Sequence, residues 1–213
     1  MDTSASNKKR LGRPPKARNR QLATREVLIR TGLEALTEKG FASTGLDALL
    51  RPAGVPKGSF YHYFPSKEAY GAELIDAYAR FFAYKLDKHL KTETLPPLER
   101  IQAFVDEATE GMAKHDFRRG CLIGNLGQEM SVLPASYRDK LQQVLQDWQT
   151  RLEACLQLAQ QQGQLSPEAD ARQLAVFFWT GWEGAVLRAK LERSPQPLQI
   201  FAGFFLQFCR RSV

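Results

Sequence analysis

The chain has 213 residues and a net charge of +7, with 43% hydrophobic and 25% charged residues. That composition excludes disordered, collagenous and membrane-spanning chains and is enough for one or two folded domains. Cys121, Cys155 and Cys209 are too few and too widely spaced for a disulfide framework or a four-thiolate zinc site, so reduced thiols are expected.

The longest uncharged apolar run, Gln173 to Trp182, is about half a membrane span, and the basic N-terminus contains no apolar leader, so a cytoplasmic protein that meets no membrane is expected. The charge is unevenly placed. Residues 1–70 carry 13 Lys and Arg against 6 Asp and Glu, whereas residues 71–213 carry 17 of each. The excess on the first third suits a polyanionic partner.

Residues 1–19, with Lys8, Lys9, Arg10, Arg13, Lys16 and Arg18 and no apolar periodicity, read as a mobile basic arm. A helix is expected from about Gln21 to Lys39, with Leu28, Gly32, Ala35 and Leu36 on one stripe and Gly40 at its stop. A short second helix fits Leu46 to about Arg51. Pro52 limits it, Gly54 turns the chain, and a third short helix begins near Pro56. Ser66 is an N-cap for a long helix with Tyr70, Leu74, Tyr78, Phe81 and Phe82 inward. Further helices are expected from Pro96-Pro97 to about His115, within the glycine-interrupted stretch from Arg118 to Ser131, and from Pro134 to about Gln160. Two more follow, one with N-cap Ser166 and first-turn Pro167, the last from about Pro197. No strand alternation of useful length occurs, so the expected class is all-α.

Two short helices joined by a glycine turn after a longer one are the parts of a helix-turn-helix, whose second helix enters the DNA major groove. In Gly54-Val55-Pro56-Lys57-Gly58-Ser59-Phe60-Tyr61-His62-Tyr63-Phe64-Pro65-Ser66-Lys67 only Val55, Phe60 and Phe64 are suited to burial. They anchor the helix while interleaved cationic and aromatic groups face outward, as base edges and phosphates require. This stretch, from about Leu22 to Leu74, resembles the DNA-binding signature of the TetR family of bacterial transcriptional regulators. The resemblance implies an N-terminal three-helix DNA-binding domain over residues 20–66 and a helical ligand-binding and dimerisation domain over 67–213. It puts Lys57, Gly58, Tyr61 and His62 at base edges and Thr44, Ser59, Tyr63 and Lys67 at phosphates of double-stranded operator DNA. Gly45 and Pro52 depart from the family pattern. In the arm, Arg10-Leu11-Gly12-Arg13-Pro14-Pro15-Lys16 resembles an AT-hook core, with Arg13 entering an A·T-rich minor groove.

The stretch from Arg118 to Glu129, together with Trp182-Glu183-Gly184-Ala185 and Arg188-Ala189-Lys190, resembles an acrylate- and electrophile-responsive subgroup of that family. The resemblance implies a repressor released from its operator by a small acrylate-like, electrophilic or acyl inducer. It assigns Cys121 as the sensing thiol and Lys190 as its partner. The residues offer a physical ground: Arg118, Arg119 and a nearby helix start would stabilise a Cys121 thiolate. Trp179, Glu183 and Lys190 share one helix face, where Lys190 or Arg188 could meet a carboxylate. Cys121, Asn125, Trp148, Trp179, Trp182, Glu183 and Lys190 are the expected ligand site. Cys155 and Cys209 fall on apolar stripes and read as core or interface.

Phe177, Phe178, Trp179, Trp182, Phe204, Phe205 and Phe208 exceed what one small body covers, so a homodimer through a four-helix bundle is expected. No enzyme, metal or cofactor is expected, since His62, His89 and His115 lack ligand spacing and no phosphate loop or nucleophile elbow occurs. Two rival readings are a Cys121/His115 acyl-transfer or hydrolytic enzyme and a nonspecific DNA-coating protein.

Overall fold

The computed structural model describes residues 16–211, with side chains over residues 21–210. Arg13 and the AT-hook-like stretch up to Pro15 lie outside the described residues. Among the described residues there is no strand, and no helix is long and apolar enough to cross a membrane.

Helix α1 spans Lys16–Lys39, so residues 16–19 of the expected arm are helical. Lys16, Ala17, Arg18 and Arg20 are strong helix formers without an apolar stripe, which is why periodicity alone overlooked this turn. Helix α2 (Leu46–Leu50) passes into a 3₁₀ turn at Arg51–Ala53 containing Pro52, and Gly54 reverses the chain at φ +65°. Helix α3 (Lys57–Phe60) is a single turn, shorter than the sequence suggests. Phe60, Phe64 and Tyr70 pack ring to ring at 4.7–5.5 Å beneath it. The Tyr70 hydroxyl donates to Leu28 O on α1, and it approaches so closely that a Cβ on Gly32 would stand 2.2 Å from it.

Helix α4 (Lys67–Leu90) starts where Ser66 Oγ accepts from Ala69 N at 3.0 Å, as expected. It runs from the small N-terminal bundle through the C-terminal body and packs on α1 and on helices of that body. Phe82 is partly buried, but Phe81 is 54% exposed rather than inward. Helices α5 (Pro97–Ala113), α6 (Leu122–Gln128), α7 (Ser136–Gln161), α8 (Ala171–Glu192) and α9 (Gln196–Arg211) complete the body. Helix α8 starts later than Ser166 suggested. Its cap is Asp170, which accepts from Gln173 N at 3.0 Å, while Gln160 holds the carbonyls of Ser166 and Ala169 in the preceding turn. The body is centred on Trp148, whose ring centroid lies 4.3 Å from Phe82 and 5.0 Å from Trp179.

Candidate functional site

Helix α3 is held from below and open above. Phe60 and Phe64 are buried, Val55, Ser59 and Tyr63 are half-buried, and Lys57, Gly58, Tyr61 and His62 are exposed. Nothing lies within 4 Å of a Cβ built on Gly58, so a groove wall or backbone can come close there. Lys57 Nζ is 3.9 Å from the exposed Asp47 carboxylate, a weak pair that leaves the cation usable. Thr44 and Lys67 point inward. Thr44 Oγ1 donates to Gly40 O at 2.7 Å, and Lys67 Nζ donates to Phe41 O at 3.0 Å over the Phe41 ring. Partial burial lowers the Lys67 pKa, opposed by the Glu129 carboxylate.

The glycine-interrupted segment 118–129 clasps the end of α1. Gly120 N donates to Thr37 O at 2.9 Å, and Asn125 Nδ2 donates to Leu36 O and Thr37 O at 2.9 and 3.1 Å. These are carbonyls of the last turn of α1, which have no partner inside the helix. Glu129 Oε2 accepts from Phe41 N and Ala42 N at 2.9 and 2.8 Å. The helix end and loop from Leu36 to Ala42 are therefore fixed at four residues by one short segment of the C-terminal body.

Behind that clasp lies a cavity of about 270 Å³, walled by Tyr78 and Phe82 of α4, Phe104 of α5, Gly120 and Cys121, and Trp182 of α8. Lys85, His89, His115 and Arg119 lie around the same space. Glu107 pairs with Lys85 at 3.1 Å and with Lys88, and its Oε2 lies 2.7 Å from His89 Nε2. The Lys88 hydrogen bond leads in holding the Glu107 carboxyl down at about 2. Arg119 has looser partners, Glu34 at 3.5 Å and Glu38 at 4.0 Å.

The thiol of Cys121 caps α6, accepting from Gly124 N at 3.4 Å. The residue is buried, and burial followed by the Glu183 carboxylate pushes its pKa well above the usual thiol value. This overturns the expected cation-stabilised thiolate. Arg118 turns to Asp116 and Arg119 to α1, so neither guanidinium is spent on the sulfur. The thiol instead meets the Glu183 carboxyl and the Tyr78 hydroxyl.

The N-terminal residues 24–70 match the family model for bacterial regulatory proteins of the tetR family, and residues 97–205 match that for the tetracyclin repressor-like C-terminal domain. The chain belongs to the TetR family. Transcriptional regulator AcuR of Cereibacter sphaeroides is 52% identical over 202 residues, 95% of this chain and 92% of AcuR. The HTH-type transcriptional repressor NemR of Escherichia coli K12 is 32% identical over 176 residues, 83% of this chain and 88% of NemR. Among solved structures, a regulatory protein TetR from Rhodobacter sphaeroides, 52% identical, superposes with a TM-score of 0.85 over 86% of this chain and 97% of that one. This chain is thus a TetR-type transcriptional repressor and not an enzyme, which closes the acyl-transfer and nonspecific-coat readings.

Within this TetR-type fold the expected ligand residues part company. Cys121 and Trp182 line the cavity. Glu183 reaches it only through the thiol. Trp148 and Trp179 are fully buried beside Phe82, their indole Nε1 atoms without hydrogen-bond partners. Asn125 serves the clasp, and Lys190 Nζ donates to Asn125 Oδ1 at 3.3 Å while staying within electrostatic reach of Cys121. Arg188 is exposed and bonded to Glu192. Sequence reasoning missed Tyr78, Lys85, His89 and Glu107. Lys85 and His89 at i, i+4 on α4 were the available signal, but nothing local tied them to Glu107 on α5.

Proposed function

We propose that α3 holds operator DNA, and that a small α,β-unsaturated or acyl compound, of which acrylate is the simplest, occupies the cavity against Cys121 and releases it. Lys57, Gly58, Tyr61 and His62 read base edges, and Ser59 and Tyr63 touch phosphates. The observation that carries the reading is the double duty of one segment. Gly120 and Cys121 wall the cavity, while Gly120, Asn125 and Glu129 hold the stretch from Leu36 to Ala42. A compound that pushes the wall moves the end of α1, and α3 with it. The volume suits a compound of a few heavy atoms, and Arg119 is the cavity cation freest to meet a carboxylate. Similarity to the regulator AcuR and the repressor NemR, 52% and 32% identical, supports the operator-binding half of the reading.

The repressor acts as a homodimer through α8 and α9, whose pairing sets two reading helices about 34–36 Å apart. Fluorescence anisotropy on the promoter beside the chain's own gene tests the reading. Acrylate is expected to weaken operator binding by about tenfold or more. Unchanged affinity in saturating acrylate and propionate would overturn it.

A further inference from the structure

Three thiols occur in this chain and all are buried, yet their surroundings differ. Cys155 Sγ donates to Pro97 O at 3.4 Å, and burial pushes its thiol, like that of Cys209, up to about 11. Cys121 alone contacts a carboxyl group. That contact is built into the fold: a Cβ on Gly124 would stand 2.0 Å from Glu183 Oε2 and 3.7 Å from Cys121 Cβ, so the missing side chain makes room for the carboxylate. Glu183 Oε1 is buried with no hydrogen-bond partner, which leaves one oxygen of this carboxyl uncompensated inside the protein. Gly124 N–H and the Tyr78 hydroxyl face the sulfur from other sides.

We propose that Glu183 is the proton acceptor for Cys121 when this thiol adds to an α,β-unsaturated carbonyl compound in the cavity. The proposal rests on the electrophile reading above and makes that reading covalent. In the step, Sγ bonds to the β-carbon as the carbon–carbon π bond breaks, and the thiol proton passes to Glu183. The enolate so formed takes a proton at its α-carbon, from Glu183 or from water in the cavity, and the carboxylate is restored. The product is a thioether, and no oxidant or reductant takes part. A base beside a protonated thiol activates it without a standing thiolate. This answers the difficulty that burial creates for Cys121. Burial also pushes the Glu183 carboxyl up to about 7, where it accepts a proton readily near neutral pH.

The test uses the full-length protein, acrylamide as the electrophile, and mass spectrometry of the adducts at neutral pH. Wild type should be labelled at Cys121, Glu183→Gln at least about tenfold more slowly, and Glu183→Asp in between. A neighbour acting only through its charge gives the opposite sign, since removing a negative group eases thiolate formation. Equal or faster labelling of Glu183→Gln would therefore overturn the base role while leaving operator release intact. Gly124→Ala supplies an independent arm, because it displaces the carboxyl with Glu183 still present and places a better helix former in α6. It too should label slowly, and wild-type rates would count against the proposal. No adduct at Cys121 in wild type, with propionate still releasing DNA, would overturn the covalent step and leave a reversible cavity.

Discussion

Glu183 holds a carboxyl between Cys121 and the body of the protein with one oxygen unpartnered, so its ionisation opposes folding. Burial raises its pKa from 4.5 to about 7, with the Cys121 hydrogen bond opposing. Between those values the folded chain keeps a proton that the unfolded chain releases, so its contribution to stability is whole below the lower value and is lost as pH rises through the upper. Linkage puts the loss at about 3 kcal/mol. Glu183→Gln has no such proton; urea titrations at about pH 5 and about pH 8 should show wild type losing most of that relative to the variant, and a pH-independent difference would refute it. The sequence singled out Cys121, but on neighbours that the structure does not keep beside it. Arg118 and Arg119 stand beside it in the chain and turn away in space, while Glu183 arrives from α8. The local hint was Gly124, a glycine inside a helical turn.

The α3 anchors, the Ser66 cap and the Tyr70, Leu74 and Tyr78 stripe of α4 could be read from the sequence because each is set by neighbours within a few positions. Gln160 setting the turn before α8 and Lys67 bonding Phe41 O could not, since those partners meet only after packing. Lys67 and Lys57 therefore separate in effect. Lys57→Ala should cost about 1–3 kcal/mol on operator and flatten sequence preference. Lys67→Ala should cost about 1 kcal/mol of fold stability and leave the salt slope unchanged. A slope reduced by about one contact would return Lys67 to the DNA. The clasp makes a parallel prediction. Asn125→Ala strips two hydrogen bonds from the α1 terminus and frees Lys190, so stability should fall by about 1–3 kcal/mol. Acrylate should then release operator less effectively even where the protein is fully folded, measured as the ratio of affinities with and without ligand; an unchanged ratio would separate the clasp from signalling.

At the scale of the molecule, a basic first third is joined to a body of balanced charge, so DNA affinity belongs to one end and assembly to the other. The sequence counted seven aromatics as surplus on the last two helices, but Phe178, Trp179, Trp182 and Phe205 are buried within the single chain. What remains outside is a narrower apolar face: Phe177 at 57% exposed, Leu191 at 72%, Ile200 at 51%, Phe204 at 69% and Phe208 at 56%. A face of that kind on two adjacent helices suits a second copy of itself, and a two-fold axis would bring both reading helices to one side of the duplex. Phe204→Asp adds a charge where the single chain has little packing to lose, so it should leave the melting temperature of the isolated subunit near that of wild type at equal monomer content. Sedimentation velocity should show the dimer dissociating at micromolar concentration, and operator affinity should fall by about tenfold or more as the two-headed grip is lost. A stable dimer with unaltered operator affinity would mean that α8 and α9 are covered by something other than their own two-fold mates.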